Sequence, residues 1–293
     1  MDDLYLRAIG FSELDDEDVS MLKDLAVKSF DKRCTLGLGR DKIVLEYHKS
    51  LGYGIGIIVR GILNNKEELI GSKLEPYALS DEIIDVAECF VECTDGMPII
   101  IFEHTDTDNE IAFSLQNILD YSKDVKGFQQ RCRDCRHIKK INMAAISIWA
   151  TVLLPIEKKP EQQKVAKEES VYYKTLLTNS RAGDKVATQQ LAVYEEESFE
   201  IIRNRLEKED VLSVIDSYFL PYEQSDDFSY DILGEIETLN VVSNDQSGEE
   251  VYKMQINAVG IKLQLYINKY DVLGKPSVGM RLMANCKLIG QVQ

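Results

Sequence analysis

Cys132-Arg133-Asp134-Cys135-Arg136-His137 is the sharpest local pattern for chemistry in this chain. Two cysteines three apart, with a histidine just beyond, offer the sulfur and nitrogen donors that hold zinc in tetrahedral geometry. A closed structural site needs a fourth ligand, and no second paired motif is present. Cys89 and Cys93 would contribute only if the fold brought them close. The spacing also admits a redox pair, but no thioredoxin-like βαβ context surrounds it. Haem attachment would need the histidine directly after the second cysteine. Two ordinary thiols on a surface segment are the plainer reading. The sequence therefore implies no cofactor, with zinc at Cys132, Cys135 and His137 as the alternative.

The same stretch is the only basic concentration: Lys126, Arg131, Arg133, Arg136, Lys139 and Lys140. In a helix, Arg133, Arg136 and Lys140 share one face. Such a face would suit an acidic partner or a phosphate, or would pair with the protein's own carboxylates. Glu103-His104-Thr105-Asp106-Thr107-Asp108 groups an imidazole with carboxylates. Successive residues at a strand end point opposite ways, so a polar loop is favoured over a hard-cation site.

Other catalytic signatures are missing. Gly52-Tyr53-Gly54-Ile55-Gly56 lacks dinucleotide-fingerprint spacing, and Gly37-Leu38-Gly39-Arg40-Asp41-Lys42 lacks that of a phosphate loop. No nucleophile elbow occurs. Three histidines leave few imidazole options for acid–base work. A carboxylate enzyme would be invisible among 50 acidic residues, so the reading leans towards binding without excluding catalysis.

A formal charge of −16 repels phosphate backbones and anionic headgroups, which disfavours nucleic acid and membrane surfaces as partners. The most apolar run, residues 143–154, is too short for a bilayer, which needs about 20 residues. The acidic start Met1-Asp2-Asp3 has no apolar signal region, and the six cysteines suit reduced thiols. A soluble cytoplasmic protein is expected.

The elements follow from hydrophobic period. A strand is expected over 5–11 and a helix over 12–30, its first turns crowded with acids. Strands are expected over 43–48, 54–63, 68–77, 99–102 and 141–154. Residues 84–93 fit either type, and the spacing of Ile111, Leu115, Ile118 and Leu119 predicts a helix over 110–123. Charged residues over 157–170 read as a linker. Helices follow, with a corner at Gly183 and Asp184.

The C-terminal residues alternate with period two. Tyr252, Met254, Ile256 and Ala258 form one dry face, Ile261, Leu263, Leu265 and Ile267 a second, and Leu282, Ala284, Cys286, Leu288 and Val292 a third. With one wet face each, such strands suit an antiparallel sheet closed into a small barrel. The long connection over 271–281 would present Lys275 and Arg281 to a partner or anion. Alternatively it caps the barrel, with Leu273 and Val278 tucked inward as plugs.

The runs Leu233-Gly234-Glu235-Ile236, Ser247-Gly248-Glu249-Glu250-Val251-Tyr252-Lys253-Met254 and Asp271-Val272-Leu273-Gly274-Lys275-Pro276-Ser277-Val278-Gly279 resemble a clostridial family known only as a domain of unknown function, family 3881. The resemblance continues in Tyr218-Phe219-Leu220-Pro221-Tyr222, Leu115-Gln116-Asn117 and Tyr5-Leu6-Arg7-Ala8-Ile9-Gly10-Phe11, and so spans essentially the whole chain. It implies no activity and no site residue. Where the family pattern leads one to expect an aromatic after Arg281, this chain has Leu282.

These readings combine into an α+β protein: an N-terminal mixed unit (1–156), a linker (157–170), a helical segment (171–224) and a small β-barrel (225–293). The expected role is a binding or adaptor module acting through the barrel. An enzyme of unrecognised type, or a zinc protein, is the alternative.

Overall fold

The computed structural model describes residues 2–37, 43–64, 68–86, 89–94, 97–104, 107, 109–124, 138–156, 160–207, 210–222 and 229–292. Contacts divide the chain into two units, residues 1–153 with 218–293, and residues 154–217. Strands outweigh helices, and the class is α+β.

In the first unit a 3-10 helix (Asp2–Ile9) precedes α1 (Asp16–Lys28). The 3-10 helix stands where a strand was expected. Tyr5, Leu6, Ala8 and Ile9 are all buried, a set that one helical face can bury and one strand face cannot. α1 starts at its acids. Asp18 N donates to the Asp15 side chain at 2.8 Å, and Asp15 N donates back to Asp18 at 3.2 Å. Strands β1 (Lys32–Gly37), β2 (Ile43–Gly52), β3 (Ile55–Leu63) and β4 (Leu69–Ala78) then form an antiparallel sheet in chain order. Leu45, Tyr47, Ile57, Val59 and Leu74 share a core with the 3-10 helix and α1.

The next elements are β5 (Ile84–Asp85), β6 (Cys89–Thr94), β7 (Met97–Glu103), β8 (Glu110–Leu115), α2 (Ile118–Asp124) and β9 (Lys140–Leu153). The helix expected over 110–123 is thus a strand followed by a short helix. Ile111, Phe113 and Leu115 alternate and are buried. Ile111 and Leu115 fit both a period of two and a period near four, which made the helical reading available.

β10 (Tyr218–Pro221), β11 (Ser229–Ser243), β12 (Glu250–Ala258), β13 (Ile261–Asn268), β14 (Val272–Leu273) and β15 (Arg281–Val292) join β5–β9 in an 11-stranded sheet. Strands read for separate ends of the chain are neighbours here, because β9 runs parallel to β13 and antiparallel to β15. The pairing order β11–β12–β13–β9–β15 returns to β11.

Every dry-face residue expected on β13 and β15 lies in one core, as do Met254, Ile256 and Ala258 of β12. The faces expected to be wet differ from the expectation. Lys253, Gln264 and Tyr266 are buried, because residues around the β2–β3 turn and just after β4 cover them. Tyr266 Oη donates to Leu79 O at 2.7 Å, and Lys253 Nζ reaches both oxygens of Asp81 at 2.7 and 2.6 Å. Val259 and Gly260, at φ of 53° and 86°, make the two-residue turn between β12 and β13.

The second unit holds α3 (Pro160–Arg181), α4 (Lys185–Leu206) and α5 (Val211–Val214). Residues 160–170, read as linker, belong to α3. The corner forms as expected: Gly183 takes φ of 88°, and the Asp184 side chain accepts from Val186 N at 2.8 Å. Tyr172 and Tyr173 pack on Tyr194 across the two helices. Among the described residues, no helix is long and apolar enough to cross a membrane.

Candidate functional site

Cys132, Arg133, Cys135, Arg136 and His137 lie outside the described residues. Lys140 is exposed at the start of β9, opposite Asp85 of β5. His104 sits in the turn joining β7 to β8, its Nδ1 3.1 Å from Thr107 Oγ1. Of the remaining residues singled out from the sequence, Lys275 belongs to the connection between β13 and β15, and Arg281 is the first residue of β15.

That connection is built rather than slack. The Asn268 side chain accepts from Tyr270 N at 3.1 Å and starts a 3-10 turn (Lys269–Asp271). Arg7 Nε donates to both oxygens of Asp271, at 2.7 and 2.8 Å. In β14, Val272 and Leu273 pair with Ala150 and Thr151 of β9. Further on, Gly279 N donates to Ile236 O at 2.9 Å, and Ile236 N donates to Met280 O at 2.8 Å. Gly274 and Gly279 adopt φ of 95° and 84°, values open to glycine at little cost.

Held this way, the loop presents apolar side chains to solvent. Tyr270, Leu273 and Val278 are 74%, 69% and 63% exposed, with Lys275 also exposed between them. Leu273 and Val278 are therefore not plugs of the interior. Trp149, 46% exposed, lies on β9 two residues before Thr151, the partner of Leu273. Arg281 is half-buried at the start of β15, opposite Leu153 and Glu235.

A second constellation was not anticipated from the sequence. It lies on the face of the four-stranded sheet turned away from α1. Cys34 and Glu46 are cross-strand partners, as are Glu46 and Arg60. His48 Nε2 lies 2.7 Å from Glu46 Oε1, and Arg60 Nε donates to Glu46 Oε2 at 2.8 Å. Arg60 also donates to Glu75 at 2.8 Å and to Gln116 O at 3.2 Å. From α2, Asp120 accepts from the Cys34 thiol at 3.1 Å and pairs with Lys32. Glu46 is fully buried, and Cys34 and His48 nearly so.

Burial acts to raise the Glu46 carboxyl, but the His48 hydrogen bond and the Arg60 charge outweigh it and hold it below its usual range. Burial, reinforced by Asp120, pushes the Cys34 thiol up to about 11. Cys34 is thus a protonated thiol at neutral pH rather than an activated nucleophile. The signal available in the sequence was a Glu, a His and an Arg inside otherwise apolar strands.

An open groove of about 820 Å³ is lined by Tyr53, Asp81, Asn240, Asp245 and Lys253, among others. The Lys253 ammonium there is already held by Asp81 and lies 4.3 Å over the Tyr53 ring. Among the described residues, no imidazole or thiol lines this groove. The site chemistry therefore concentrates in the exposed loop and the buried ionic cluster.

Residues 6–290 match the model of the family described as a domain of unknown function, E. rectale gene description (DUF3881). The chain belongs to this family. No curated protein and no solved structure matches it. Several runs that carry the DUF3881 resemblance have structural duties. The Asn117 side chain donates to Val292 O at 2.9 Å and accepts from Val292 N at 3.1 Å, which fixes the end of β15. Ser247 donates to Gly10 O, and Ser12 N donates to Glu249 at 3.1 Å, which fixes the N-terminal segment against the turn before β12. The Asp271–Gly279 run, by contrast, carries side chains that the fold leaves in solvent.

Proposed function

We propose that this DUF3881 protein is a cytoplasmic binding module that docks a protein partner through residues 269–281 beside β9. One observation carries the reading: a loop fixed by hydrogen bonds and an ion pair exposes Tyr270, Leu273 and Val278 around Lys275. Apolar side chains cost solvation when exposed and repay it when covered. A loop already rigid loses little entropy on docking. Aromatic and aliphatic anchors around the exposed Lys275 suit a partner with an apolar pocket and an acidic rim.

The charge of −16 disfavours nucleic acid as the partner. Cys34, Cys89 and Cys286 are buried thiols, as a reducing compartment allows. The small-barrel reading of the C-terminal strands belongs to the same proposal. The returning circuit of pairings, with β9 as one stave, supports it and would give the loop a stiff base. Charge reversal at Lys275 tests the contact. Lys275→Glu should weaken association with a co-purifying partner while leaving thermal unfolding unchanged, and undiminished association would count against the loop.

A further inference from the structure

We infer that Cys34, Glu46, His48 and Asp120 form a binding site for a divalent transition-metal cation, with zinc favoured by the donor set. The sulfur of Cys34, a carboxylate oxygen of Glu46 and a ring nitrogen of His48 lie within 4.8 Å of one another, and all three residues are buried. Small side-chain rotations would bring them to the bond lengths zinc takes, about 2.3 Å to sulfur and about 2.0–2.2 Å to nitrogen or oxygen. Asp120 lies 3.1 Å from the Cys34 sulfur but outside that 4.8 Å group, and it becomes the fourth donor by turning its carboxylate from the thiol to the ion. A thiolate, an imidazole and two carboxylates suit zinc better than calcium or magnesium, which prefer oxygen alone.

The surroundings match a cation in charge and in orientation. Three carboxylates, Glu46, Glu75 and Asp120, face two fixed cations, Arg60 and Lys32. With the imidazole neutral, the cluster has one negative charge in excess, and two once the thiol ionises. A divalent cation neutralises both. On binding, the sulfur–metal bond forms as the proton now shared with Asp120 leaves to solvent. Arg60 on Glu46 and Lys32 on Asp120 hold each carboxylate from its far side, as outer partners do in metal sites. The backbone frame is already set, because Cys34 and Glu46 are a register pair of β1 and β2.

The test uses the full chain, stripped with chelator and titrated with cobalt(II), in wild type, Cys132→Ser/Cys135→Ser and Asp120→Asn. Asp120 is partly exposed, so its amide variant should fold. The inference predicts one equivalent bound in wild type, with a near-ultraviolet thiolate-to-cobalt charge-transfer band and release of a proton. The double cysteine variant should keep the band, and Asp120→Asn should lose more than about tenfold in affinity, the least that an outer-shell partner costs, at unchanged melting. Absence of the band in wild type would overturn the inference. So would a band that disappears in the Cys132→Ser/Cys135→Ser variant, or one indifferent to Asp120→Asn.

Discussion

Arg7 and Asp271, 264 positions apart in the chain, meet through two hydrogen bonds from one nitrogen, at 2.7 and 2.8 Å. The Asp271 side chain is 4% exposed and that of Arg7 42%. The pair ties the N-terminal 3-10 helix to the base of the loop that exposes Leu273 and Val278. The Asp271 hydrogen bond also raises the Arg7 guanidinium further above its usual range, so the cation persists at any working pH.

Replacing Arg7 with Met should leave the fold intact but loosen the loop. Arg7 is partly in solvent, so the cost is modest, about 1 kcal/mol. Urea unfolding measures that cost. Amide exchange over 270–281 should quicken while exchange in β12 and β13 does not change. Uniform exchange across these segments would show that the loop holds itself without Arg7.

Glu46 should dominate the acid response of the four-stranded sheet. Its folded-state pKa is depressed below the ordinary value near 4.5. Its stabilisation is therefore present above that pH and is lost as pH falls through the folded value. Glu46→Gln leaves Arg60 with Glu75 as its remaining carboxylate and should cost about 3 kcal/mol at pH 7. The gap between wild type and variant should narrow below pH 4.5. A gap constant from pH 7 to pH 3 would contradict this assignment.

Gly234 allows β11 to pass closely over β12. A Cβ there would sit 2.5 Å from Asn257 O and 2.7 Å from the Ile256 side chain. Gly234→Ala should cost about 2–3 kcal/mol. Gly37→Ala, with no atom of the described residues within 4 Å of the added carbon, should stay within about 0.5 kcal/mol of wild type. Chemical unfolding of both variants compares them directly.

The parts of this fold that alternation specifies were readable in advance. Leu263, Leu265 and Ile267, or Leu282, Ala284 and Cys286, point to one core because a strand has no other way to bury them. The helical corner at Gly183 and Asp184 was readable for the same local reason. What stayed hidden depends on partners distant in the chain. Nothing near Tyr266 or Lys253 announces that Leu79 and Asp81 cover that face. The position of β9 between β13 and β15 likewise follows from long-range pairing. The loop was legible as a surface, but the sequence favoured Leu273 and Val278 as interior plugs, whereas both are exposed. The Cys34–Glu46–His48 cluster went unnoticed because strand register, not sequence spacing, assembles it.

The most direct test of the binding proposal is site-specific photo-crosslinking in cells. A photoreactive residue replaces Leu273 in one variant, Val278 in a second and Met21 in a third. Met21 is 58% exposed on α1 and serves as the control surface. The account predicts the same crosslinked adduct from positions 273 and 278 and none from position 21. No adduct from either loop position, or an identical adduct from position 21, would contradict it.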